Sequence, residues 1–211
     1  MDKKQKNILV LAPHADDGEL GCGGTLSRLI EERGKVFYIC FSMCEESIPT
    51  GFPKNELERE VKKATKSIGI NPDNLILNHY PVRRVHEYRQ DILEKLIKFR
   101  EKVSLDIVFM PSSFSLHQDH KVIYEEGIRA FKHVTCFGYD LPWDTLKFTT
   151  TSFFKLQERH IEEKGKSLEM YKTQKRREYC NSDFIFSLAR VRGAQIGTKY
   201  AETFEMIRGV F

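Results

Sequence analysis

The stretch "LAPHADDGELGCGG" (residues 11–24) closes an apolar run, Asn7 to Leu11, with a histidine and two adjacent aspartates, and then places four glycines within seven residues. Adjacent carboxylates repel, so a positive group is expected among them. The run NILVL (7–11) reads as a buried strand. Gly21, Gly23 and Gly24 are expected to allow a tight strand-to-helix turn, with the helix itself from about Thr25 to Arg33 and Gly34 stopping it. Leu26, Leu29 and Ile30 mark that helix's apolar face.

Outward from this point, apolar runs alternate with helical spacing. KVFYICF (35–41) is a second strand, and Leu57, Val61, Ala64 and Ile68 stripe a helix that ends at Gly69. LILNHY (75–80) is a third, weaker strand. Ile92, Leu93, Leu96, Ile97 and Val103 mark the next helix, and DIVFM (106–110) a fourth strand closed by Pro111. A helix with Val122, Ile123, Ile128 and Phe131 leads to VTCFGY (134–139). Beyond about residue 145 the pattern loosens to an edge strand in TSFFKLQ (151–157), a charged helix over 158–177 and another helix over 183–191. Strand–helix alternation with short links predicts an α/β fold: one Rossmann-like domain over 1–211, with a mainly parallel sheet and helices on both faces. No repeat or linker divides the 211 residues.

Composition bounds the function. The chain is 40% apolar and 30% charged with a formal charge of +4, as in ordinary globular proteins. No apolar run approaches the roughly 18 residues that span a bilayer, and the apolar stretch after MDKKQKN is too short for a signal sequence. Five irregularly spaced cysteines do not form a disulfide framework. These features together predict a cytoplasmic protein with no membrane span. Acidic and basic residues interleave, so nucleic-acid binding is not needed to explain the charge. The basic stretch KTQKRREY (172–179) reads either as a solvated helix end or as a contact for an anionic substrate.

A second polar cluster, "SSFSLHQDH" (112–120), follows the fourth strand. Parallel sheets bind ligands at the carboxyl ends of their strands, so the two clusters share an edge although about a hundred residues separate them. Singly, each has a plain reading: His14 as a turn residue, His117 and His120 as part of a solvated loop, and Asp119 as a helix cap. Jointly they have the composition of a catalytic metal site, which keeps one position open beside its protein ligands. One aspartate can then bind the metal while its neighbour takes a proton from water.

PHADDGELGCGG resembles the PHPDDxELGCGG signature of the PIG-L/LmbE-like zinc-dependent N-deacetylases. HQDH is similar to that family's HPDH, and ARVRGAQIGTKYAETF (189–204) to its C-terminal block, with Ala15 and Gln118 in place of prolines. The resemblance implies one Zn²⁺ held by His14, Asp17 and His120, although other divalent transition metals suit the same ligands. It implies Asp16 as general base, and His117 as the group that stabilises the tetrahedral intermediate or protonates the leaving amine. Asp119 would orient His117, and Tyr200 would contact the oxyanion. The implied reaction is hydrolysis of the N-acetyl group of an N-acetylglucosamine-type sugar by water activated at zinc. The implied partner is a small-molecule sugar, and a homo-oligomer is left open. Trp143, in GYDLPWD, either stacks on a pyranose or packs against the sheet. Arg83, Arg84 and Arg89 either meet an anionic group of the substrate or form a solvated helix face. Two rivals stand beside this reading: a metal-dependent sugar-binding protein without turnover, and an amidase for a non-sugar N-acyl compound. A nucleotide-binding enzyme is disfavoured because Leu26 stands where GxGxxG needs its third glycine.

Overall fold

A computed structural model describes residues 5–211. Five parallel strands form the sheet's main part: β1 (Asn7–His14), β2 (Lys35–Ser42), β3 (Leu75–Leu77), β4 (Ile107–Pro111) and β5 (Thr135–Tyr139). Two further strands, β6 (Ser152–Leu156) and β7 (Tyr200–Arg208), complete the order β3-β2-β1-β4-β5-β7-β6, with β7 antiparallel to both of its neighbours.

Alternation along β1 divides the core. Ile8, Val10 and Ala12 enter one apolar cluster with residues of α1 (Asp17–Glu31), α2 (Glu56–Ile68), α5 (Glu158–Leu168) and α6 (Ser182–Ala194). Leu9 and Leu11 enter the other, with α3 (Arg89–Lys102) and α4 (Gln118–Ala130). A strand covered on both faces must be apolar at every position, and for that reason the β1 run is continuous. From β1 the chain winds outward through β2 and β3, then returns to place β4 on the other side of β1. The carboxyl ends of β1 and β4 therefore flank the switch point where such sheets open a crevice.

The structure corrects the reading of the glycines. Helix α1 begins at Asp17, eight residues before the expected start, and Gly18, Gly21, Gly23 and Gly24 all lie inside it. None has a positive φ. They are needed for space: a Cβ on Gly21 would stand 2.4 Å from the Tyr139 ring, and one on Gly24 2.8 Å from Leu156. Glycine costs a helix interior about 1 kcal/mol relative to alanine, and here it permits contact with side chains of β5 and β6. Gly21→Ala is accordingly expected to lower stability by about 1–3 kcal/mol through overpacking, read as a lower midpoint in urea with an unchanged m-value.

Other boundaries also shift. The expected charged helix over 158–177 ends at Leu168 and gives way to two short 3-10 turns, Lys172–Gln174 and Glu178–Cys180. The edge strand forms as expected, and β7, a strand that the apolar pattern of the sequence does not mark, is inserted between it and β5. No helix among the described residues is long and apolar enough to cross a membrane. All five cysteines are free thiols.

Candidate active site

His14 is the last residue of β1, Asp16 is the N-cap of α1 and Asp17 its first residue. Across the crevice, the loop after β4 ends at His117, the N-cap of α4, whose third residue is His120. Asp17 turns back so that its Oδ2 accepts the His14 backbone N–H at 2.9 Å. The same oxygen stands 3.1 Å from His14 Nδ1 and 3.1 Å from His120 Nε2. Those two nitrogens are 3.2 Å apart, so one oxygen and two nitrogens form a nearly equilateral triangle.

Each imidazole is fixed from behind. His14 Nε2 lies 3.0 Å from Asp119 Oδ2, and His120 Nδ1 lies 3.1 Å from Asp144 Oδ2. Asp119 is itself held by the backbone N–H groups of Arg83 at 2.7 Å and Val85 at 3.4 Å. Asp144 also accepts from the Ser115 hydroxyl. Histidines that ligate metals commonly give their second nitrogen to a carboxylate in this way.

The expected pairing of Asp119 with His117 does not form. The Asp119 carboxylate reaches His14, and it is the Asp119 backbone N–H that donates to His117 Nδ1, at 3.1 Å, capping α4. With Nδ1 accepting, neutral His117 carries its proton on Nε2. Its ring centroid is 4.7 Å from those of both His14 and His120. The three histidines also offer ligand atoms within 4.8 Å of one another, a looser set than the triangle that includes Asp17.

The adjacent aspartates differ in environment. Burial works to raise the Asp17 carboxyl, but His120 and then His14 overcome it and hold the group well below the usual range. Burial and the Asp17 charge push Asp16 up to about 6, against Arg177 and His14. Asp16 is 7% exposed, and its Oδ2 has no hydrogen-bond partner among the described residues. Burial lowers His14 and His120, yet nearby carboxylates, Asp17 first, raise both above the ordinary imidazole value. Carboxylates that raise both imidazoles in this way make the cluster a favourable place for a cation. His117 goes the other way, pushed down by burial and then by the charges of His14 and His120. Beneath the loop, Glu19 accepts from Tyr38 at 2.5 Å and Tyr171 at 2.9 Å, and burial pushes its carboxyl up to about 8.

An open cleft of about 300 Å³ lies over this cluster. Cys44 and Asp144 are wall residues to which no motif of the sequence points, and Gln174 and Tyr179 enter the wall from the basic stretch 172–179. Arg177 joins them, so the basic stretch 172–179 is an irregular wall segment and not a helix end. Of the three arginines after β3, only Arg83 lines the cleft. Arg84 pairs with Glu87, and Arg89 is bound to Glu126 and Glu125 on α4, so of its two readings the contact with substrate does not form. Trp143 is not packed against the sheet: it stands at the cleft wall, 41% exposed, its ring stacked on Tyr179 at 3.6 Å. Tyr200 does not reach the cleft. It is 1% exposed in the core under α6, its ring edge against Phe186.

A mainly parallel α/β sheet whose switch-point crevice carries paired histidines and carboxylates, with His14 and His120 each backed by a further carboxylate, places this protein among α/β folds with a donor set of a type that suits a metal. The family follows from the sequence match. Residues 9–131 match the family described as PIG-L, GlcNAc-PI de-N-acetylase, and the chain belongs to that family of deacetylases. The chain is 27% identical over 176 residues to an uncharacterised deacetylase of Escherichia coli, YaiS, covering 81% of this chain and 92% of that one. Among solved structures it resembles a conserved protein of Thermus thermophilus, with a TM-score of 0.79 and 25% identity over 97% of this chain and 95% of the other. It also shares the fold of the N,N'-diacetylchitobiose deacetylase of Pyrococcus horikoshii, with a TM-score of 0.77 and 18% identity over 96% and 84% of the two chains.

Proposed function

We propose that this protein hydrolyses the N-acetyl amide of an N-acetylglucosamine-type sugar or sugar conjugate, with one zinc ion held by His14 Nδ1, Asp17 Oδ2 and His120 Nε2. The triangle of those three atoms, beside the unpartnered Asp16 Oδ2, carries the reading. Ligands of a tetrahedral zinc at its usual bond lengths stand about 3.3–3.4 Å apart, close to the 3.1–3.2 Å edges found here. Two imidazoles and one carboxylate also suit zinc by donor type. When bound, the metal supplies a Lewis acid for the amide carbonyl and lowers the pKa of water.

The side chains do the rest. Asp16, buried and with one oxygen free, accepts the proton that water loses on attack. His117, whose Nδ1 is committed to the α4 cap, offers Nε2–H to the negative charge that develops on the carbonyl oxygen or to the leaving nitrogen. Because the neutral ring already carries that proton, its lowered pKa does not deprive it of a donor. The family description and the Pyrococcus relative's name support an acetylated amino sugar as substrate. Free thiols suit the reducing cytoplasm.

The test is amine release from N-acetylglucosamine and its anomeric conjugates, abolished by a chelator and restored by zinc. Turnover of acetylated lysine peptides with none on any amino sugar would overturn the substrate assignment. Asp144 gives a narrower check. Asp144→Ala is expected to weaken zinc binding about 10–100-fold, as loss of an outer-shell partner typically does, while leaving all three ligand atoms in place. Competition with a chromogenic chelator measures it, and unchanged affinity would show that His120 needs no backing carboxylate.

A further inference from the structure

Gln174 forms part of the cleft wall, is 7% exposed, and has a side-chain oxygen that meets no partner among the described residues. A relay fixes which end of the amide is which. Glu60, a buried residue of α2, accepts the Thr173 backbone N–H at 3.1 Å and the Thr173 hydroxyl at 2.6 Å. A carboxylate only accepts, so the single hydroxyl proton of Thr173 is spent on Glu60 and Thr173 Oγ1 has only lone pairs left. Gln174 must therefore turn its Nε2 to Thr173, where it donates at 3.1 Å. Flipping the amide would set oxygen against lone pairs and leave an N–H unpaired as well. The free end is thus an acceptor, assigned by the network around it.

A buried acceptor without a donor is a standing cost, and this one is closed to bulk water. Gln174 lies in the same wall as Arg177 and Tyr179, lining the cleft that carries Asp16 and the His14–Asp17–His120 triangle. A hydrogen-bond donor seated in that cleft satisfies it once the side chain turns to bring Oε1 to the cleft surface. We infer that Gln174 is a specificity residue that accepts a hydrogen bond at Oε1 from a ring hydroxyl of the substrate. The inference rests on the amino-sugar reading above and adds to it which wall reads the sugar. Sites built to pair a substrate hydroxyl reject analogues lacking it, because the protein group is then left unpaired.

The experiment compares the wild-type protein and Gln174→Met on N-acetylglucosamine and its 3-, 4- and 6-deoxy analogues, by kcat/KM, and on the corresponding glucosamines by calorimetry. One deoxy analogue is expected to lose about 10- to 100-fold with the wild type in both measurements. Gln174→Met is expected to lose a similar factor on the parent sugar, chiefly in KM, and to stop distinguishing that analogue from it. If the wild type releases amine from N-acetylglucosamine but treats all the analogues alike, the inference fails and the deacetylase reading stands. Discrimination by Gln174→Met equal to that of the wild type has the same meaning. If the wild type deacetylates no sugar, the amino-sugar reading fails and the calorimetry alone decides Gln174. In that case, absence of any glucosamine binding overturns the inference too. The wild-type comparison does not depend on how well the variant folds.

Discussion

Asp16→Asn is expected to purify with a full equivalent of zinc and to lose about 10²- to 10⁴-fold in kcat, or roughly 3–5 kcal/mol in barrier. The substitution keeps the shape of the side chain and its capacity to hydrogen-bond, but an amide cannot take the proton that water gives up. The site suits such a clean test. Asp16 Oδ2 makes no hydrogen bond among the described residues, so an amide nitrogen there breaks no contact seen in the structure. Asp16 also stands outside the triangle, whose oxygen comes from Asp17. Burial and the neighbouring Asp17 charge push Asp16 up to about 6, a basicity suited to accepting a proton near neutral pH. Zinc content and kcat measured on the same preparation decide the matter. Near-normal kcat in Asp16→Asn would remove it as the base and turn attention to His117.

The two aspartates of the opening stretch thus have opposite environments on neighbouring residues. Asp17 faces two imidazoles and is held ionised, whereas Asp16 faces the cleft with one oxygen unmatched. Pairs of carboxyls whose surroundings separate their proton affinities in this way are suited to separate tasks. The sequence poses the problem of their adjacency, and the fold resolves it by placing the break between β1 and α1 there, so that successive side chains leave in different directions.

Where the sequence was legible, a simple physical rule was at work. Strands buried on both faces are continuous apolar runs, so β1, β2 and β4 are visible in composition alone, and the HADD and HQDH clusters follow the ends of β1 and β4. The start of α1 was hidden because glycine is read as a demand for unusual φ, whereas these glycines answer the closeness of Tyr139 and Leu156. Strand β7 was hidden because it carries acidic residues into a protected place. Glu202 is buried beside Lys164 at 2.7 Å and accepts the Gly24 and Thr25 backbone N–H groups, so a core position is spelled with a charge. The wall segment 172–179 was hidden for a similar reason. Its anchor is Glu60, more than a hundred residues away, and no local pattern shows that contact. Asp144 follows β5 in a loop that nothing in the sequence ties to His120. Tyr200 and Arg89 carry suitable chemistry, but Tyr200 is taken up by the core and Arg89 by Glu126.

The other large effect belongs to the triangle. Asp17→Asn, His14→Ala and His120→Ala are each expected to lose zinc outright on dialysis, with affinity falling by more than the roughly 100-fold at the upper end of outer-shell substitutions. Asp17 supplies the only negative charge among the three ligand atoms, and its Oδ2 is equidistant from His14 Nδ1 and His120 Nε2 at 3.1 Å. An asparagine there offers a neutral oxygen to a divalent cation, a poorer ligand although its size is unchanged. The accompanying hydrogen bond from the His14 backbone N–H, 2.9 Å in the present structure, can still be made to the amide oxygen, so the loop keeps its shape. The two aspartate variants should therefore separate under added metal. Excess zinc is expected to restore part of the activity of Asp17→Asn by mass action, but none of that of Asp16→Asn, whose defect lies in proton transfer. Circular dichroism on each variant distinguishes loss of ligand from loss of fold. If Asp17→Asn, His14→Ala and His120→Ala all fold and all retain a full equivalent of zinc after dialysis, the metal does not sit in the triangle.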